Sequence, residues 1–487
     1  MVAMLNIHRL VYRPSEVAWD PTTSHLLSIV SFPSAPAAIR VQAARVLDEV
    51  LVVVPRHLSS NGELQAIVQR RVLDVLAKQI VPSGADNILS TSTNVELRRM
   101  GLETLHLILQ ASGHTLVIGW ETIFEMLGSV CKPAMLSRSG SIDSVSTLSL
   151  QDSHRPKPLP LGYNTERGYT TLVKIAFQSM KLVCDSVSSL SPEHLRLCIT
   201  TLGQFGRQAD TNIALTAAES LLWSVSDSIQ AKRKDLQREP EYSELWMFLL
   251  LEVLGLCTDA RPEVRVGAIQ TLFRAMQLYG ATLSLDTWNE CVWKITFPLL
   301  DAISTESRRT LSDSAILSST SASSEQAWDE SKSLALQWIG SIIKEFLVTK
   351  IMRLQTFTEA WKVFVSHIHD TVLLDRRSLS TPALQCLDKA VDSLSAANED
   401  LQPQVAEAWE CVWQACNDIG VAISRAGRSH LSPRVEASLA QRPFTQDSLA
   451  AFINVIRTTR RVSRQQTDME WSLERLTHLM EILKGPQ

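Results

Sequence analysis

Glu263-Val264-Arg265-Val266-Gly267-Ala268-Ile269-Gln270-Thr271-Leu272, followed by Trp288-Asn289-Glu290-Cys291-Val292, repeats a pattern found earlier in the chain. There it reads Glu96-Leu97-Arg98, then Leu102-Glu103-Thr104-Leu105, then Trp120-x-x-Ile123-Phe124. Arginine to tryptophan spans 22 positions in the earlier copy and 23 in the later. The two arginines lie 167 residues apart, about four units of the roughly 40–47 residues typical of armadillo and HEAT repeats. Recurrence of residue type and segment length together predicts a helical solenoid, an architecture that usually serves as a binding surface.

Each half of the pattern reads as one helix. Val266, Ile269, Leu272, Phe273 and Met276 fall at helical intervals, as do Trp288, Cys291, Val292 and Ile295. Neither helix can bury its stripe alone, so stacked pairs are expected. Arg40-Val41 with Ala44 and Leu47 keeps the spacing of the arginine helix; Trp361-x-x-Phe364-Val365 and Trp409-x-x-Val412-Trp413 keep that of the tryptophan helix. The tryptophans read as wedges between stacked helices rather than as a ligand platform. With 45% hydrophobic and 20% charged residues, only 18 glycines and almost no strand-like alternation, the fold class is all-α, an armadillo/HEAT-like α-solenoid with disordered insertions.

The expected organisation is helical repeats over 1–130, 166–303 and 327–424, with two interruptions. Residues 131–165 carry Ser137, Ser139, Ser141, Ser144, Pro156, Pro158 and Pro160, and residues 304–326 are Ser-rich from Ser312 to Ser324. Such composition buries little apolar surface and predicts disordered loops. Arg138 beside Ser137 and Ser139 would suit a kinase, though a plain spacer is the simpler reading. Residues 425–487 read as a basic C-terminal segment with terminal helices.

A net charge of −4 and a pI near 6.3 argue against general nucleic-acid binding. No apolar run approaches a bilayer span, and Met1–Tyr12 has no secretory core. The eight cysteines form no CxxC pair and lie mostly in apolar helical contexts such as Cys184, Cys198, Cys257 and Cys291, as reduced core cysteines of a cytosolic protein would.

The sequence contains no phosphate loop, GxSxG elbow or HExxH motif. His367-Ile368-His369-Asp370 comes nearest to a metal cluster, but residues two apart point about 200° from one another on a helix, so these read as surface histidines. Cys411 and Cys416, five apart, do not form a site either. No cofactor and no catalytic residue are expected.

One local site stands out. Leu449, Phe452, Ile453 and Ile456 form an apolar stripe at i, i+3, i+4 and i+7, and Arg457, Arg460, Arg461 and Arg464 repeat those offsets eight residues later. A stripe of four arginines could meet anionic lipid headgroups or an acidic partner; a solubilising cap on the solenoid is the plainer alternative.

Leu245-Trp246 through Leu256-Cys257-Thr258-Asp259-Ala260-Arg261-Pro262-Glu263-Val264-Arg265, then Tyr279-Gly280, Trp288, Trp293 and Phe297-Pro298-Leu299-Leu300-Asp301, resembles the C-terminal half of the monensin-sensitivity (Mon-two) scaffold family. Gly119-Trp120-Glu121-Thr122-Ile123-Phe124 and Leu202-Gly203-Gln204-Phe205 are similar to it too, so the resemblance spans roughly 90–420. It implies a non-enzymatic peripheral scaffold of Golgi and endosome membranes on their cytoplasmic side, related to the large Arf exchange factors but lacking their Sec-seven domain. The partners it implies are Dopey-type proteins, Arf-like GTPases and a phospholipid flippase. The family's N-terminal dimerisation and upstream homology regions find no match here, as in a fragment or shortened product. A karyopherin-type transport receptor, or another HEAT-repeat assembly subunit, is the alternative for a solenoid of this kind.

Overall fold

A computed structural model describes residues 16–56, 62–81, 92–113, 116, 118–131, 167–233, 239–314, 321–374, 377–428, 444–464 and 477. Among the described residues every regular element is helical. The chain divides into two compact units, the first ending at Glu252 and the second beginning at Val253.

The first unit holds α1 (Glu16–Val30), α2 (Ala37–Arg56), α3 (Gly62–Ile80), α4 (Ser92–Ser112), α5 (Trp120–Ser129), α6 (Arg167–Asp185), α7 (Pro192–Gly206) and α8. Helix α8 runs from Thr211–Ser220 through a π-helical turn, Leu221–Ser226, into Asp227–Lys232. Packing follows every second helix: α1 on α3, α3 on α5 and α5 on α7 make one layer, α2 on α4, α4 on α6 and α6 on α8 the other. That is the two-layer stack of an α-solenoid.

Helix α9 (Glu239–Leu256) contains the division. The second unit continues with α10 (Pro262–Tyr279), α11, α12 (Ser321–Phe346), α13 (Phe357–Leu374), α14 (Arg377–Leu394), α15 (Gln402–Arg428) and α16 (Gln446–Arg464). Helix α11 comprises Leu285–Glu290, the π turn Cys291–Thr296 and Phe297–Ser314. Here α10, α12, α14 and α16 pack in succession as one layer, with α13 on α15 in the other.

The repeated arginines all lie on even-numbered helices and do the same work. Arg40 Nε donates to the carbonyl of Val30 at 2.8 Å, and Arg98 Nε to that of Ile80 at 2.9 Å. Arg265 Nη1 donates to the carbonyl of Asp259 at 2.7 Å. Arg40 and Arg98 thereby reach back to the end of the preceding helix, where unpaired carbonyls and the helix dipole favour a cation, and Arg265 reaches back to the connection just after α9. Arg40 and Arg265 also reach forward to the next even helix, through Asn94 Oδ1 at 2.8 Å and Ser331 Oγ at 2.8 Å. The tryptophans of the pattern lie on odd helices. Trp120, Trp288, Trp361 and Trp409 are all buried, as the wedge reading expects.

Local chemistry fixes where helices begin. Ser191, Asp210 and Ser284 cap α7, α8 and α11 by accepting from backbone N–H groups two or three residues on, and Pro192 and Pro262 open α7 and α10. Gly119, before Trp120, has φ 90° and lies against α3; a Cβ there would come within 2.4 Å of Leu73 Cδ1. Only glycine meets both conditions.

Two expectations need correction. The loop expected over 304–326 is helix from 304 to 314 and again from 321 onward. Its serines serve helix packing: Ser304 Oγ accepts from Lys332 Nζ at 2.8 Å, and Ser307 Oγ donates to Asp329 Oδ1 at 3.2 Å. Residues 315–320 lie outside the described residues, as does the 131–165 stretch beyond Cys131. The second correction concerns His367, which is half-buried rather than a plain surface histidine. Its ring stacks on Phe297, with centroids 5.9 Å apart and planes at 25°, and burial pulls its pKa below the usual value against the opposing field of Asp301.

Candidate functional site

The inward arc of α16 consists of Ser448, Phe452, Val455, Thr459 and Val462, flanked by Ala451, Ile456 and Ser463, all buried. Buried polar groups on this arc are bonded locally: Thr459 Oγ1 donates to Val455 O and Ser448 Oγ to Thr445 O. The apolar stripe expected from the sequence is therefore displaced, because Ile453 is exposed while Ser448 and Thr459 are not. The arginines consequently stand almost opposite the buried arc, rather than beside it. Arg457, Arg460 and Arg461 are exposed; Arg464 ends the helix.

The stripe has an acidic margin that the sequence reading missed. Arg461 pairs with Asp392 of α14, and Thr458 Oγ1 donates to Asp388 of the same helix at 2.6 Å. These two carboxylates sit one helical turn apart on α14, but about seventy residues before their partners on α16, so no local signal joins them to the arginines. Arg457 and Arg460 carry the outward charge of this face, and Arg461 is partly neutralised.

A second feature lies in the first unit. The first turns of α5, α7 and α9 border a concavity of about 350 Å³, rimmed by Glu121, Glu193, Glu241 and Glu244. His194 Nε2 meets Glu121 at 2.9 Å, which holds that carboxyl below its usual range, and Arg196 Nη2 meets Glu244 at 2.6 Å. Acidic residues in first turns complement helix N-termini, which accounts for the rim without a ligand.

The second unit has a partly open hollow of about 40 Å³ among Trp288, Phe297, Trp361 and Phe364. It is well below the roughly 150 Å³ that admits a benzene ring. The histidines of 367–370 diverge as expected: His367 faces Asp301 at 3.7 Å, and His369 Nδ1 meets Asp370 at 3.1 Å. All eight cysteines are free and six are buried. Burial pushes the thiols of Cys291, Cys386 and Cys416 up to about 12, so these three stay protonated at neutral pH.

Residues 232–427 match the profile of a family described as the C-terminal region of Mon2 protein. The stretch 245–301, on which the resemblance chiefly rests, falls inside it. Protein MON2 homolog of Drosophila melanogaster is 26% identical over 462 residues, 85% of this chain and 24% of that protein. The Homo sapiens Protein MON2 homolog is 24% identical over 444 residues, 82% of this chain and 22% of that protein. The chain thus spans about a quarter of the length of the curated relatives it matches. Among solved structures, importin13 in its cytosolic state covers all of this chain and 66% of its own at TM-score 0.33 and 10% identity. Likeness at that level says nothing about function.

Proposed function

We propose, from the premise that residues 232–427 are a Mon2-type C-terminal region, that the chain is a non-enzymatic scaffold in endosome–Golgi protein transport. The observation that carries this reading is the coincidence of that region with stacked helices whose recurring residues serve the stack: within it Arg265 ties neighbouring helices together, and Trp288, Trp361 and Trp409 are buried among them. A solenoid of this kind works by holding partners along its faces and edges and raising their effective concentration. The partners proposed are Dopey-type proteins, Arf-like GTPases and a phospholipid flippase, on the cytoplasmic side of Golgi and endosome membranes.

Affinity capture of the tagged chain from cytosol and solubilised membranes, followed by mass spectrometry, tests this. Recovery of those partners supports it; nucleoporins or nuclear cargo in their place would move the chain to the transport-receptor reading. Purified protein should leave nucleotide release from Arf and Arf-like GTPases at its spontaneous rate.

Within this function, Arg457, Arg460 and Arg464, with Arg461, form the proposed contact to anionic membrane, at about 1 kcal/mol per charge near such a surface. Replacing Arg457, Arg460 and Arg464 by Glu should abolish flotation with anionic liposomes, and wild-type flotation should weaken with salt. Equal flotation of both proteins, or of neither, makes α16 a cap only.

A further inference from the structure

Three helices of the first unit bring together a polar group for which the scaffold reading has no use. Asp48 on α2, Gln79 on α3 and Thr104 on α4 are each less than a tenth exposed. Gln79 Nε2 spends its donors on Asp48 Oδ2 at 3.5 Å and on the carbonyl of Leu97 at 3.3 Å. Two buried acceptors, Asp48 Oδ1 and Gln79 Oε1, are left without a hydrogen-bond partner. Carboxyl and amide are thus side by side, and even with the Thr104 hydroxyl bonded to Asp48 these two acceptors have no donor.

No cation remedies this. Arg40 is committed to Val30 and Asn94 at the start of α2, and Arg45 and Glu49 on the same helix are exposed. On α1, Asp20 and His25 are exposed; on α3, Arg70, Asp74 and Lys78 are exposed, and half-buried Arg71 is not among the charges whose field reaches Asp48. On α4, Arg98 is engaged with Ile80, and Arg99 pairs with Glu96 and Glu103. The charge whose field reaches Asp48 is that of Glu103, and it repels. A single proton on the carboxyl would supply the missing donor to both orphaned acceptors.

We propose that Asp48 keeps its carboxyl proton in the folded chain near neutral pH and donates it to Gln79 Oε1, making the α2–α3–α4 junction a proton-held joint that loosens when the proton leaves. Burial agrees with this, pushing Asp48 up to about 7, although Thr104 and Gln79 pull the other way. Its folded value lies above the unfolded value of 3.8, so the stabilisation is complete below that value and is lost as the pH rises through about 7. The joint therefore responds to pH around neutrality.

The test uses the full chain. Infrared difference spectra should show a buried protonated carboxyl in wild type at about pH 6 that disappears with a midpoint near 7, and Asp48→Asn should lack it. Amide exchange in α2 and α4, corrected for intrinsic rates, should quicken several-fold between about pH 6 and about pH 8.5 in wild type and stay level in Asp48→Asn, whose amide donates at every pH. Absence of the carboxyl band at the lower pH, or identical exchange profiles in the two proteins, overturns the proposal. The infrared measurement on wild type decides the matter even if the variant fails to fold.

Discussion

Trp409 on α15 donates its indole N–H to the carbonyl of Thr459 on α16 at 2.8 Å, across fifty residues of chain. Trp361 on α13 does the same to Ala408 at 3.0 Å, the residue before Trp409. Three helices are thereby linked in series by indole hydrogen bonds. Trp409→Phe keeps most of the apolar volume and removes the donor, so it should cost about 1 kcal/mol, whereas Trp409→Ala should cost about 3–5 kcal/mol. Denaturant unfolding measures both, and unchanged stability in Trp409→Phe would mean that the hydrogen bond contributes nothing.

Arg265 is fully buried, with its guanidinium carbon 3.8 Å from the ring centroid of Trp328 and bonds to Ser331, Asp259 and Ala327. Burial draws its pKa down to about 10. Arg265→Met strands several buried acceptors and should destabilise the second unit by about 3 kcal/mol. Arg265→Lys should recover less than half of that loss, since an ammonium has neither the fork nor the flat face. Full recovery by lysine would reduce the residue to a point charge.

Gly119→Ala should cost about 2 kcal/mol, because alanine at φ 90° is strained and its Cβ meets Leu73. The double change with Leu73→Ala relieves the clash but not the strain, so it should restore little. Thermal unfolding of the single and double variants separates the two contributions.

Thiol titration at about pH 8 should modify Cys411, a half-buried thiol, first, be slow at Cys131, whose thiol burial pushes well above its ordinary value, and reach the other six only on unfolding. Raising the pH above the ordinary thiol value of 9.0 should lower stability, because the unfolded chain ionises before Cys291, Cys386 and Cys416, held near 12, can do so. Rapid native labelling of all eight would contradict the packing.

The alternation of arginine and tryptophan helices was legible because each recurring residue repeats one task at one place, so physics stamps the same letters at the same spacing. The helix through Ser304 and Ser307 was not. Serine-rich composition reads as loop until Lys332 and Asp329, more than twenty residues on, supply partners. The arc of α16 was misjudged for a related reason: counting apolar letters selects Ile453 and passes over Thr459, whose hydroxyl is satisfied within its own turn. The arginines themselves were visible, while Asp388 and Asp392 beside them were not, since that neighbourhood exists only after folding. The pairing of Asp48 with Gln79 likewise belongs to no contiguous motif.

The π turn of α11 bears on how such a chain can change over generations. Trp409 and Trp413, four apart on an uninterrupted α-helix, stack with planes at 5°; Trp288 and Trp293 are five apart, and Trp293 lies within the turn Cys291–Thr296. A π turn takes up one additional residue and returns the helix to its former facing, so Trp293 still meets Thr356 while Trp288 remains buried. An inserted codon there is absorbed within a single turn instead of rotating everything downstream by about 100°. The second such turn, Leu221–Ser226 in α8, offers the same tolerance. Loss of the extra residue at either place would return the segment to plain α-helix with the inward faces of the flanking helices still in phase.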